Sequence, residues 1–271
     1  MLIGLFLFLA SLSSSIQEKL WKWWYQKLSA GYEKNDWQFM NYGYAPINEK
    51  TVFIAKNEVD KENSLFIQLY QHTLLGIDLN GKTILEVGSG RGGGTDYVAR
   101  YFAPSSIIGV DFSKNAVNLC NKFYKTPNLR FVEGNAEKLL FENDSFDVVF
   151  NVESSHCYGN MNLFISEVTR VLKPGGIFAW ADLRTLKAME TDDAIFMNSA
   201  LNVLFKEDIT TNVLKALDLS SNHKKEAIQK HVPYLWQSLF FEFTGIRNSK
   251  VYHNFHDGKM VYRCYRFQKN Q

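Results

Sequence analysis

The chain has 271 residues, enough for one large or two small domains, and its 46% hydrophobic and 21% charged residues imply a packed core. A net charge of +2 supplies no basic field, so no nucleic-acid partner is expected. Three cysteines (Cys120, Cys157, Cys264) lie scattered without a C-x-x-C pair, and read as reduced thiols of a cytoplasmic protein, not as a disulfide or metal framework.

Leu2 to Ala10 is apolar apart from Gly4. It is shorter than the roughly 20 residues that span a bilayer, and no Lys or Arg precedes it. Three readings stand: a hydrophobic helix docked on the body, a weak membrane-surface anchor, or a cleaved leader. Ser15 to Ser29 reads as an amphipathic helix with Ile16, Leu20, Trp21, Trp24 and Leu28 on one face, suited to core contact or to a membrane surface. Asn63 to Leu75 has helical spacing, and Asn80-Gly81 closes that segment.

Thr83-Ile84-Leu85-Glu86-Val87 then reads as a buried strand, running into a turn that holds Gly88, Gly90 and Gly92 and opens a helix. Gly88 and Gly90 permit a tight turn and close backbone approach, as a nucleoside-containing cofactor needs. The spacing of Gly88, Gly90 and Gly93 also satisfies G-x-G-x-x-G, the pattern of a nicotinamide dinucleotide site. Glu86 argues against that reading, because a carboxylate would repel a pyrophosphate and attract a cationic ligand end.

Ser106 to Asp111 is a second buried strand ending in an acid. Asp111 can accept from both hydroxyls of a ribose; its alternative is a helix cap, for which Ser113 is better placed. Asn128 to Glu133 and Phe146 to Asn151 are the third and fourth strands. Met161 to Leu172 is a helix, Lys173 to Gly176 a tight turn, and Ile177 to Asp182 the fifth strand. Strands alternating with helices imply a doubly wound parallel sheet, with ligands at the carboxyl ends of its strands. Beyond it, Asp192 to Phe205 and Asp208 to Leu219 look helical, with Ser220-Ser221-Asn222 separating a third helix. Val251 to Phe267 reads as a hairpin turning at His256-Asp257-Gly258, its second strand at the sheet edge. Aromatic residues make up 15% and crowd outside the cofactor half, as an apolar substrate pocket or plain core packing would require.

Glu86-x-Gly88-x-Gly90-x-Gly92, Asp111, Gly134-Asn135-Ala136 and Leu172-Lys173-Pro174-Gly175-Gly176 resemble, in content and order, the class I S-adenosylmethionine-dependent methyltransferases. Gly92-Gly93-Gly94, Asn151 to Tyr158 and Ala181-Asp182-Leu183-Arg184 carry a narrower likeness to the mycobacterial phthiotriolone/phenolphthiotriolone dimycocerosates methyltransferases, which O-methylate a hydroxyl on a long-chain lipid. The resemblance implies an α/β, Rossmann-like, mostly parallel seven-stranded sheet with an N-terminal helical cap and a helical insertion before the last strands. The expected divisions are an apolar leader (1–15), the cap (16–80), the cofactor-binding core (81–182) and substrate-pocket helices with final edge strands (183–271).

S-adenosyl-L-methionine is the implied cofactor. Tyr44 would cover it from an Asn41-Tyr42-Gly43-Tyr44 lid, and Glu86, Gly88, Gly90, Gly92, Asp111, Phe112 and Asn151 would contact it. Asn135 would accept from the adenine amino group, while the Ala136 N–H would meet a ring nitrogen. An alcohol acceptor needs a base, and His156, just past the fourth strand, is the candidate. Glu153 is the rival base or the carboxylate that orients His156; Tyr158 and Arg184 would line the substrate pocket. The expected partner is a small-molecule or lipid substrate, with weak membrane-surface association through the apolar start. Alternatives are C-methylation of an aromatic or sterol-like acceptor, nicotinamide-dependent oxidoreduction, and non-catalytic cofactor binding.

Overall fold

The computed structural model describes residues 37–47, 55 and 57–271. The apolar leader (1–15) and the Trp-rich stretch (15–29) lie outside the described residues. Among the described residues two helices, α1 (Glu58–Glu62) and α2 (Ser64–Thr73), come first, and the Asn57 side chain caps α1 by accepting from the Asp60 N–H. Then follow β1 (Thr83–Val87), α3 (Gly93–Tyr101), β2 (Ser106–Asp111), α4 (Lys114–Phe123), β3 (Leu129–Glu133) and β4 (Phe146–Val152). A 3-10 turn at Ser155–Cys157 leads to α5 (Met161–Val171), β5 (Leu172–Thr185) and α6 (Leu186–Met197). The chain closes with β6 (Leu201–Asp208), α7 (Thr210–His231), α8 (Tyr234–Phe243), α9 (Lys250–His256) and β7 (Met260–Lys269).

The seven strands form one sheet in the order β3-β2-β1-β4-β5-β7-β6. β1 to β5 run parallel, and β7 is antiparallel to both β5 and β6, so the expected doubly wound, mostly parallel sheet is the fold adopted. The chain leaves β1 for β2 on one side, and later returns to pair β4 on the other. The crevice at the carboxyl ends of β1 and β4 is therefore the switch point.

Strand alternation supplies both faces with apolar side chains. Ile84, Ile107, Val148 and Phe150 pack on one side with Ile67 and Leu69 of α2 and Val98 of α3. Leu85, Val87, Val149, Phe178 and Trp180 pack on the other with Phe164 and Val168 of α5 and Met189 of α6. The parity matters for the site: Glu86 shares the Ile84 face, toward α2 and α3.

Four expectations need correction. Residues 192–205 are not one helix, because α6 stops at Met197 and Leu201 begins β6, which pairs with β7 from Leu201↔Lys269 to Asp208↔Arg263. A short apolar run such as Val203-Leu204-Phe205 fits either state by pattern, and here the free flank of β7 decides it. Ser220-Ser221-Asn222 does not break a helix; α7 runs through it, with the Ser220 hydroxyl satisfied by Ala216 O at 2.8 Å. The first arm of the expected hairpin is the helix α9, capped by Ser249, whose side chain accepts from the Tyr252 N–H. β7 is an interior strand, and the edge is β6. The helical insertion thus falls between β6 and β7. Among the described residues no helix is long and apolar enough to cross a membrane.

Leu85, fully buried at the centre of the sheet, and Leu204, 58% exposed on β6, give contrasting expectations. Leu85→Ala should cost about 2–5 kcal/mol in urea unfolding, and Leu204→Ala no more than about 0.5 kcal/mol.

Candidate functional site

β1 ends in backbone that only glycine adopts easily. Gly88 has φ 78°, and a Cβ there would lie 2.1 Å from Ser154 Oγ and 2.7 Å from Tyr158 Oη. The Gly88 and Ser89 N–H groups donate to Val110 O at 2.8 and 2.9 Å, which ties the turn to the end of β2. Asp111, the last residue of β2, accepts from the Gly90 N–H through Oδ2 and from the Ser113 N–H through Oδ1, both at 2.8 Å. Ser113, not Asp111, caps α4 by accepting from the Ala116 N–H. Burial pushes the Asp111 carboxyl up to about 6, and the two backbone donors hold it down.

One cleft runs along this edge. Its wall includes Gly88, Gly90, Asp111, Phe112, Asn135, Ala136, Glu153, His156 and Tyr158, so nine of the fourteen expected site residues meet there. Asn135 Oδ1 also accepts from the Glu137 N–H at 2.9 Å, which fixes its amide beside Ala136.

The other five stand off the wall. Glu86 is fully buried behind it, accepting from Tyr70 Oη at 3.0 Å and from Thr95 Oγ1. Burial raises this carboxyl to about 7 against those two donors, and Asp111 adds to the rise. The expectation that Glu86 faces a cationic ligand end is thereby corrected: strand parity turns it toward α2 and α3, and Tyr70 is the wall residue. At Gly92 a Cβ would lie 2.8 Å from Cys120 Sγ, Phe131 Cζ and Tyr124 Cε2, so this glycine serves packing of the turn on α4 and β3. Tyr44 stacks on His72, centroids 4.2 Å apart; the cleft-facing ring of that segment is Tyr42. Asn151 lies beneath the turn, its Nδ2 within 2.8 Å of Val87 O, 2.7 Å of Ser154 Oγ and 3.0 Å of Tyr158 Oη. Arg184 is buried behind His156 and does not reach the cleft.

β4 delivers the reactive groups. Glu153 has φ 49°, an uncommon conformation for a side-chain-bearing residue, and its Oε2 accepts from the Tyr42 N–H at 2.7 Å and Tyr262 Oη at 3.0 Å. Burial lifts its carboxyl to about 8; the Tyr42 N–H and the His156 charge oppose the rise. Glu153 therefore binds the Tyr42 segment and β7; it is not the carboxylate bonded to His156. That carboxylate is Asp182 of β5, absent from the expected site, with Oδ1 2.8 Å from His156 Nδ1 and Oδ2 accepting from the His156 N–H at 3.0 Å. Ser155 Oγ (2.6 Å), the Leu183 N–H (2.8 Å) and the Arg184 guanidinium (3.2 Å) complete its partners. Burial would raise the Asp182 carboxyl, yet His156 and Arg184 hold it well below the usual carboxylate range. Burial disfavours the His156 cation, yet Cys157 and Asp182 hold the imidazole well above its ordinary value. Asp182 could have been found by the reasoning that found Asp111, an acid closing a buried strand at the carboxyl edge. Tyr42 carried no signal that separates it from Tyr44. Among the described residues no three His, Cys, Asp or Glu side chains gather to hold a metal ion.

A family model described as "Methyltransferase domain" matches residues 85–180. The phthiotriol/phenolphthiotriol dimycocerosates methyltransferase of Mycobacterium leprae is 35% identical over 264 residues, 97% of each chain. The fatty-acid O-methyltransferase of Mycolicibacterium smegmatis is 31% identical, across 95% of this chain and 93% of that one. Geranyl diphosphate C-methyltransferase from Streptomyces coelicolor, solved with S-adenosyl-L-homocysteine, superposes with a TM-score of 0.63 at 16% identity, covering 90% of this chain and 98% of that one, a likeness of fold.

Gly88 and Gly175 share a positive φ, but a Cβ at Gly175 would meet nothing within 4 Å. Gly175→Ala should cost about 1 kcal/mol of backbone strain in urea unfolding, and Gly88→Ala at least about 2 kcal/mol because Ser154 must also move.

Proposed function

Because the chain belongs to the phthiotriol/phenolphthiotriol dimycocerosates methyltransferase family, whose members use S-adenosylmethionine, we propose that it methylates a hydroxyl oxygen of an apolar, lipid-like acceptor. Family membership sets aside the nicotinamide and non-catalytic alternatives. The observation that carries the oxygen-acceptor reading is His156 on the cleft wall backed by the buried Asp182, 2.8 Å between Nδ1 and Oδ1. Methyl transfer to oxygen named for the fatty-acid relative supports the same reading, as does the apolar wall contributed by Phe39, Met40 and Val152.

The cleft residues fit the cofactor. Gly88 and Gly90 bring bare backbone to the cleft wall, and each Asp111 oxygen keeps an acceptor position beyond its backbone bond, enough for two ribose hydroxyls. Asn135 and the Ala136 N–H would hold the adenine edge, with Phe112 beside them. Glu86 acts from behind, fixing Tyr70 and the start of α3 through Thr95. When bound, S-adenosylmethionine supplies a methyl group already activated on a cationic sulfur.

His156 does the proton work. Asp182 accepts the Nδ1 proton, which fixes the tautomer and leaves Nε2 as the acceptor for the hydroxyl proton. As that proton arrives, Asp182 stabilises the imidazolium. Tyr42 and Tyr158 wall the cleft and keep water from competing for the methyl group. Glu153, held by Tyr42 and Tyr262, shapes the acceptor side together with residues 183–271.

His156→Ala should leave S-adenosylhomocysteine affinity unchanged in calorimetry and lower turnover at least tenfold, within the range of about 10²–10⁴ typical of a general base. Asp111→Ala should weaken S-adenosylhomocysteine binding at least about tenfold, and undiminished affinity would remove Asp111 from the ribose. A base must be unprotonated to act, so kcat/KM should rise with pH through the elevated His156 value. Asp182→Asn removes the charge that stabilises the cation, and should move this acidic limb to lower pH in a rate profile.

A further inference from the structure

Arg184 lies directly behind the His156–Asp182 pair and is 9% exposed. Its Nη1 lies 3.2 Å from Asp182 Oδ2, and its Nε lies 2.7 Å from Asp192 Oδ2 on α6. Nη1 also donates to Leu183 O and Nη2 to Ser155 Oγ, both at 2.8 Å, and the guanidinium sits 5.4 Å from the centroid of the Trp180 ring. Ser155 Oγ in turn donates to Asp182 and accepts from Trp180 Nε1 at 2.9 Å. His156, Asp182, Arg184 and Asp192 thus form a buried chain of alternating charge that begins on the cleft and ends beneath α6. A buried cation of this kind is costly to desolvate, and structure alone does not require it, since an apolar side chain could fill the space.

We infer that Arg184 is a positioning residue for methyl transfer: shared between Asp182 and Asp192, it takes up part of the Asp182 charge, so that Asp182 orients His156 while gripping its proton less firmly than an unshared carboxylate would. An Asp182 free of Arg184 would give its whole field to the imidazole, and His156 would hold its proton too firmly to serve as a base. An Arg184 free of Asp192 would press harder on Asp182, and the imidazole would lose proton affinity. The other groups facing this pair are fixed by the same fold: Glu153 directly follows β4 and Cys157 ends the 3-10 turn, while Tyr42 and Tyr262 reach Glu153 from the N-terminal segment and β7. Among the described residues, only Arg184 brings a permanent positive charge into contact with Asp182.

The role presupposes His156 as base, and a readout on the imidazole itself keeps the two apart. Ring nitrogens of the six histidines can be followed by NMR against pH, with His156→Ala identifying the relevant signal. Arg184→Gln should raise the His156 midpoint by about one pH unit and Asp192→Asn should lower it, while Arg184→Lys should restore a midpoint near that of the parent. Opposite signs from two neighbouring substitutions are not what general loosening produces. The inference is overturned if the midpoint stays in place in the folded variants, or moves the same way in both. Should Arg184→Gln fail to fold, Asp192→Asn decides, since it leaves the cation beside Asp182; an unmoved midpoint there is sufficient to reject the inference. If the midpoints move as stated while the acidic limb of methyl transfer does not follow, the charge-sharing stands and His156 is not the base.

Discussion

Four carboxylates crowd the carboxyl edge of one sheet, and none can be left in a low-dielectric site without a partner. β1 contributes Glu86, β2 Asp111 and β5 Asp182, and Glu153 directly follows β4. Each is handled differently. Asp111 takes two backbone N–H groups; Glu86 takes Tyr70 and Thr95; Glu153 takes a backbone N–H and a phenol from distant parts of the chain. Burial drives these three toward protonation near neutrality, at about 6, 7 and 8. Of these four, Asp182 is held firmly as an anion, because His156 and Arg184 both contact it directly.

This distribution suits the chemistry. Asp111 and Glu153 stand on the cleft wall with proton affinities near neutral, so a cationic ligand arriving there would favour their ionised forms, while Glu86 stays behind the wall. The fixed anion lies one hydrogen bond behind the imidazole, where positive charge would develop. Glu153 spans the greatest sequence distance, joining β4 to the Tyr42 segment 111 residues earlier. Its left-handed backbone is the kind of local strain that persists only when several contacts hold it in place. The side of the cleft beyond β4 is therefore braced by tertiary contacts, while the side at β1 and β2 is braced by the local turns after those strands.

How much could be read in advance follows from this difference. β1 to β5 were legible because each is an apolar run of strand length ending in a polar residue or turn, and the placement of Asp111, Glu153 and His156 on one cleft wall was legible because they follow from strand ends at one sheet edge. Side-chain direction was not legible. Glu86 and Asp111 look alike as strand-closing acids, yet Glu86 sits two residues after Ile84, on the face that α2 and α3 cover. Gly92 looked like part of a ligand-binding turn, but its missing Cβ makes room for Cys120 and Phe131. Arg184 looked like a pocket residue and instead supports one. In the last third, β6 and α9 were assigned the wrong state because short segments take their conformation from the neighbour they pair with or pack on.

Among the described residues β6 closes the sheet with one flank unpaired, and its Val203 and Leu204 are half exposed or more. Such a border could recruit a strand from another molecule. The register slips between Val203 and Phe205, and Lys206, Glu207 and Asp208 put charges on the strand immediately afterwards. A second chain laid along this border would lose its hydrogen-bond register at the slip and meet charge beyond it, so the irregularity protects the protein against growing into a filament.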